Sequence, residues 1–145
     1  MAAGIPLTDA DRWDWLILLR QRSVAELSHG SLGVVLTCSA LKRKYRDVIR
    51  VASYNNRHLL VHFVYLRANE DMILSRVKAR QGHYMKDDMV ESQFRSLEEP
   101  GIDETDCVCI DVGGTVPQVQ ELALSVVKKA LKEVVEEVHT SFLFD

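Results

Sequence analysis

Basic side chains crowd two places in this chain. Lys42, Arg43, Lys44, Arg46 and Arg50 follow a short polar junction, and Arg76, Lys78, Arg80, His83 and Lys86 surround Gly82. The first group opens a helical pattern. A helix start offers free backbone N–H groups and the positive end of the helix dipole, so cations in its first turn make a receptor for a carboxylate or a phosphate. A solvated basic helix face has the same composition, and the segment by itself leaves both readings open. In the second group a glycine supplies backbone freedom amid cations, as in a loop that closes over a polyanion; an exposed turn with ordinary charges is the alternative.

The elements that must position these groups follow from periodicity. Val34, Val35 and Leu36 form a short apolar, β-branched run that predicts an interior parallel strand ending near Cys38. Ser39 can then cap a helix in which Leu41, Tyr45, Val48 and Ile49 form the burial face and the basic residues take the remaining surface. Upstream, Thr8 and Asp11 form a capping box for a helix carrying Trp13, Leu16, Ile17, Leu19, Val24 and Leu27, closed by His29-Gly30. Downstream, the near-continuous apolar run of 58–66 predicts a second strand buried on both faces, with His58 and His62 as hydrogen-bonded core residues. Asn69 caps a helix through Ile73, Leu74 and Val77, which gives way at Gln81-Gly82 and resumes near Asp87 with Met89, Val90, Phe94 and Leu97. CVCIDV at 107–112 predicts a third strand, and Thr115 with Gln118 caps a last helix with an apolar stripe from Val119 through Leu122, Val126, Val127, Ala130, Leu131 and Val134 to Val138. Asp111 stands where a Walker-B aspartate would, which is also where any strand ends in a polar loop. Alternating helices and apolar strands predict an α/β domain with a parallel sheet.

Composition narrows the function classes. The chain has 145 residues, 47% of them hydrophobic, which suits one domain with a proper core. A net charge of -3 disfavours nucleic acid as the main partner, so the basic patches are local. No apolar run approaches the roughly 20 residues of a membrane span, and the first residues lack the pattern of a signal peptide; a cytoplasmic location is the expectation. Cys38, Cys107 and Cys109 lack paired zinc-ligand spacing and are expected to be small buried residues.

In order along the chain, GIPLTDADRWDWL, VVLTCSALKRKYRDVIR, VYLRANEDMILSRVKARQGHYMKDDMVESQFRSLEEPG and CVCIDV resemble gluconokinase, a small P-loop sugar-acid kinase related in fold to shikimate kinase. The likeness covers nearly all of residues 4–131, with Asp14 where the family usually has proline. It implies a three-layer, P-loop-kinase-like parallel sheet and transfer of the ATP γ-phosphate to D-gluconate, giving 6-phosphogluconate. It also places Asp11, Arg12, Ser39, Lys42 and Arg46 beside the sugar acid, and Arg76, Arg80 and His83 on the nucleotide side of a lid. Arginine forks, a serine hydroxyl and helix-terminal N–H groups suit a ligand with one carboxylate and several hydroxyls.

Members of the family begin with an apolar strand, a G-x-x-x-x-G-K-[ST] phosphate loop and an acidic D-x-D segment, and the 145 residues contain no such loop. The expectation is a single partial domain over 1–145, with 132–145 a C-terminal extension, about three remaining strands, and the first central strand, the loop and the second strand absent. ATP and Mg²⁺ serve the family. Without the loop's amides, lysine and hydroxyl, the donor and metal sites are expected to be lost together, and no catalytic residue or metal ligand is assigned. Three functions therefore stand side by side: a gluconate kinase; an inactive form that binds gluconate, or associates as a homodimer or with a full-length subunit; and, least favoured, a nucleic-acid contact through the basic helix.

Overall fold

The computed structural model describes residues 8–56, 58–79 and 87–141, without the side chains of 87, 88 and 133–141. Two compact units emerge, Met1–Val61 with Glu70–Gly101, and His62–Asn69 with Ile102–Asp145.

The first unit is helical. Helix α1 spans Asp9–Ser28 and starts on the predicted capping box: the Asp11 amide donates to Thr8 Oγ1 (3.3 Å) while the Thr8 amide donates to Asp11 Oδ2 (2.8 Å). It stops in a Schellman motif, with Gly30 N–H on Leu27 C=O (3.1 Å) and Ser31 N–H on Glu26 C=O (3.3 Å). Gly30 has φ 98°, a conformation that costs an L-residue strain and glycine none. Helix α2, Arg43–Asn55, packs against α1. Its buried apolar residues Tyr45, Val48, Ile49 and Ala52 recur at i, i+3, i+4 and i+7, and on α1 Leu16 is fully buried whereas Trp13 is 39% exposed. Arg20 Nη1 adds a bond to Val48 C=O at 2.9 Å. Helices α3 (Glu70–Ala79) and α4 (Asp87–Ser96) pack together, with Met89 and Val90 buried and Ile73, Leu74 and Val77 half-buried. The cationic hinge between them, including Arg80 and His83, lies outside the described residues.

The second unit contains a parallel pair, β1 (Phe63–Arg67) and β2 (Cys107–Asp111), in register from Phe63 opposite Cys107 to Arg67 opposite Asp111. Phe63 N–H to Asp106 C=O (2.8 Å) and Val112 N–H to Arg67 C=O (2.9 Å) extend the ladder at both ends. Parallel strands need a long connection, and here it runs through α3 and α4. Helix α5, Val116–Ser141, packs on β2, and its start is held by Thr115 N–H on Gln118 Oε1 at 2.8 Å. Its half-buried face is Val119, Ala123, Val126 and Ala130; Leu122, Val127 and Leu131 of the expected stripe are exposed.

The α/β class with a small parallel sheet is as expected, but the sheet has two strands among the described residues. The run 34–38 has strand propensity and no ladder: it is irregular, and Val35 is 92% exposed. Propensity makes extended backbone cheap, whereas a strand exists only where a neighbour supplies hydrogen bonds. The second strand starts at Phe63, leaving His58 and His62 exposed outside it, and Leu66 faces solvent. Cys109 is exposed and Cys38 and Cys107 are half-buried free thiols, so the cysteines are not core residues.

Candidate functional site

Tyr45 anchors the site because it lies on the burial face of α2 at its first turn, where the ring packs inward and the hydroxyl reaches the start of α1. The Arg12 guanidinium lies 5.8 Å from the ring centroid, Lys42 Nζ 5.8 Å and Lys44 Nζ 5.9 Å. These distances are near the outer limit of cation–π attraction, so each contact contributes about 0.5–1 kcal/mol at most where solvent reaches it. The stronger organiser is Asp9, the first residue of α1. Its carboxylate accepts hydrogen bonds from Lys44 Nζ and the Tyr45 hydroxyl, and from Lys42 Nζ at 3.0 Å. Three donors on one carboxylate hold it well below its ordinary pKa, the Lys44 bond first, then Tyr45 and Lys42. The Tyr45 hydroxyl moves the other way, raised by burial and then by donating to the Asp9 anion.

Arg12, Lys42 and Lys44 around the Tyr45 ring outnumber the Asp9 carboxylate, which binds the two lysines, and leave a surplus of positive charge there. That combination suits a small polyhydroxy anion, whose carboxylate takes the charge while its hydroxyls take neutral partners. The sign of the Asp9 shift fixes a pH dependence. A carboxylate whose folded pKa lies below its unfolded value near 3.8 contributes stability that is complete above that value and disappears as pH falls through the folded one. The urea midpoint of Asp9→Asn should therefore lie below wild type by a constant amount above about pH 5, and the gap should narrow at pH 3.

The residues predicted from sequence divide into groups. Arg12 and Lys42, which the family resemblance implies beside the sugar acid, both lie over the Tyr45 ring. Asp11 has its carboxylate on the amide and hydroxyl of Thr8, so it closes the helix cap. Ser39 is exposed and does not cap α2; the N-cap is Lys42, which makes no side-chain cap bond. Arg46, expected on the helix surface, is 4% exposed, its Nη1 bonded to Ala40 C=O (3.2 Å) and Glu98 C=O (3.0 Å). A guanidinium can enter an interior when carbonyls there meet its donors, and no periodicity argument reveals those carbonyls. Arg76 is exposed in the last turn of α3. Asp111 Oδ1 accepts the Gly113 amide at 2.6 Å, a local turn contact.

Sequence reasoning missed Asp9 and Tyr45 as site residues. The DADR string contained the signal for Asp9, an acid at the first position of a helix, but its two lysine partners are 33 and 35 residues away.

The junction leading into α2 is strained. Ala40 has φ 34°, in the left-handed region where a Cβ crowds the backbone. Ala40→Gly should raise stability by up to about 1 kcal/mol, while Ala52→Gly, at a buried helical position, should lower it by about as much. Paired thermal melts check the opposite signs.

No protein-family model matches the chain. It is 45% identical over 134 residues to a probable gluconokinase of Schizosaccharomyces pombe, covering 92% of this chain and 69% of that protein. It is 40% identical over 129 residues to the thermoresistant gluconokinase of Escherichia coli, covering 89% and 70%. Among solved structures, the crystal structure of a gluconokinase from Sinorhizobium meliloti superposes with a TM-score of 0.77 at 33% identity, covering 94% of this chain and 73% of that one.

Proposed function

The chain belongs to the gluconokinase family, and from that premise we propose that the face around Tyr45 recognises D-gluconate as the acceptor of a phosphoryl group from ATP. The observation that carries the reading is the cation cluster itself: Arg12, Lys42 and Lys44 are gathered on one ring, and the Asp9 carboxylate holds the two lysines. Lys42 and Arg12 meet the sugar-acid carboxylate, while Ser39 and Asp11, on the flanking turns, supply partners for hydroxyls. Arg46 acts through the main chain, since its guanidinium is spent on carbonyls. On the nucleotide side the reading uses Arg76, with Arg80 and His83 following from the family resemblance alone.

Mg²⁺ belongs to the chemistry of such kinases, and among the described residues there is no group of three His, Cys, Asp or Glu side chains that could hold a metal ion. What these residues do is bind and orient the acid, which in phosphoryl transfer is a large part of catalysis. A coupled ADP-release assay on the purified, folded chain tests the transfer. Release that requires gluconate supports the kinase reading; a folded chain that binds gluconate and releases no ADP performs recognition alone.

A further inference from the structure

We propose that Glu98 is a positioning residue for the sugar-acid site, the point at which the exit of α4 fixes the turn that aims Lys42. All three of its hydrogen-bonding groups go to one short stretch. Its carboxylate Oε2 accepts the backbone N–H of Arg43 at 2.8 Å, its own N–H donates to Leu41 C=O at 2.8 Å, and its C=O accepts Arg46 Nη1 at 3.0 Å. Arg46 also holds Ala40 C=O, so the strained residue is bracketed by the same assembly.

The chemistry explains why an acceptor is needed. The first turn of a helix leaves N–H groups without intrahelical partners and carries the positive end of the dipole. At α2 no side chain of the N-cap fills that role, and the Arg43 amide instead points to a carboxylate 55 residues away. Glu98 thus occupies an anion position at the helix start, and a sugar acid is left to the side-chain cations around Tyr45. The backbone from Ala40 to Arg43 carries Lys42, so holding it at both ends sets where Nζ can reach. A strained conformation persists only when its surroundings over-determine it, and three bonds from one residue do that.

The inference rests on the reading of the Tyr45 face as the gluconate site, and the test separates the two. Wild type, Glu98→Ala and Glu98→Gln of the 145-residue chain are compared by amide hydrogen exchange without ligand and by calorimetric titration with gluconate. Glutamine retains an oxygen that can accept the Arg43 amide, so it serves as the conservative rescue. Without ligand, Glu98→Ala should speed exchange at Arg43 and the amides beside it about tenfold, leave α1 unchanged, and be restored by Glu98→Gln. In the titration Glu98→Ala should weaken gluconate about tenfold and Glu98→Gln by less than about threefold. Unchanged exchange at Arg43 in Glu98→Ala overturns the proposal. So does faster exchange with unaltered gluconate affinity, which would make the contact a stability feature only. If Glu98→Ala does not fold, Glu98→Met, which keeps the length of the side chain and has no oxygen acceptor, takes its place: faster exchange at Arg43 together with about tenfold weaker gluconate binding supports the proposal, and unchanged exchange or unchanged affinity overturns it. If wild type fails to bind gluconate, the functional reading falls, and positioning at a gluconate site falls with it whatever the exchange shows; wild type that binds with normal exchange in Glu98→Ala removes only the Glu98 proposal.

Discussion

Replacing Arg46 with alanine lowers the stability of the folded chain by about 2–4 kcal/mol, a shift of roughly 5–15 °C in the melting temperature for a chain of this size. The side chain is almost fully buried, and its removal takes the guanidinium donor from the carbonyls of Ala40 and Glu98. A buried acceptor without a partner costs about 1–3 kcal/mol, and the void left by the aliphatic stem adds to it. Arg46→Lys should recover part of the loss, because an ammonium can serve one carbonyl but lacks the planar fork that reaches two. Arg46→Met should recover little, since it restores volume and no donor. Chemical denaturation of the three variants, read at the urea midpoint, orders them as lysine above methionine and alanine. An alanine variant as stable as wild type would mean that the guanidinium is not the bridge between these carbonyls.

Lys42→Met has its large effect on binding and a small one on folding. Lys42 is partly exposed and its ion pair with Asp9 is of the solvent-reached kind, which contributes about 0–1 kcal/mol. Against a carboxylate ligand the same ammonium makes a charge-assisted bond of about 1.5–3 kcal/mol, so gluconate affinity should fall about 10- to 100-fold while the melting temperature of the free chain moves by only a few degrees. Calorimetry in low and moderate salt checks the electrostatic origin. Wild-type affinity should weaken as salt rises, and the methionine variant should respond less. A variant that binds gluconate as wild type does would remove Lys42 from the site.

The contrast between these two basic residues, four positions apart on one helix, marks what sequence alone could reveal. Local signals were legible. Thr8 and Asp11 announced the start of α1, Gly30 its end, Thr115 and Gln118 the start of α5, and the CVCIDV run the position of β2. Each depends on residues a few positions apart, so the physics that forms the feature is contained in the string that encodes it. Features made by distant partners were not legible. Arg46 reads as a surface cation until Glu98 C=O, 52 residues on, is placed beside it. Asp9 reads as one more acid in a helical first turn until two lysines of α2 arrive. The run 34–38 and the histidines 58 and 62 erred in the other direction, because an apolar, β-branched string says that a strand is affordable and says nothing of whether a neighbour pairs with it. Ser39 has the right chemistry for a cap, yet the backbone turns left-handed at Ala40 and starts the helix three residues later than the string suggests.

The family resemblance implies Arg12 and Lys42 beside one ligand, and in the structure both lie over the Tyr45 ring. The Asp9 carboxylate ties the start of α1 to the start of α2, and Glu98, two residues past α4, holds the same turn, so the proposed acceptor face is built within one unit. Rigid placement of this kind is what lets a few charges discriminate an acid from a neutral polyol of the same length.

The most direct test of the account is a calorimetric titration of the folded 145-residue chain with D-gluconate and, separately, with D-glucitol, the neutral polyol that keeps the hydroxyl chain and lacks the carboxylate. Recognition of the carboxylate by Lys42 predicts saturable gluconate binding that weakens with salt and falls about 10- to 100-fold in Lys42→Met, with no measurable heat from glucitol. Equal binding of the two polyols, or gluconate binding indifferent to both salt and Lys42, would contradict it.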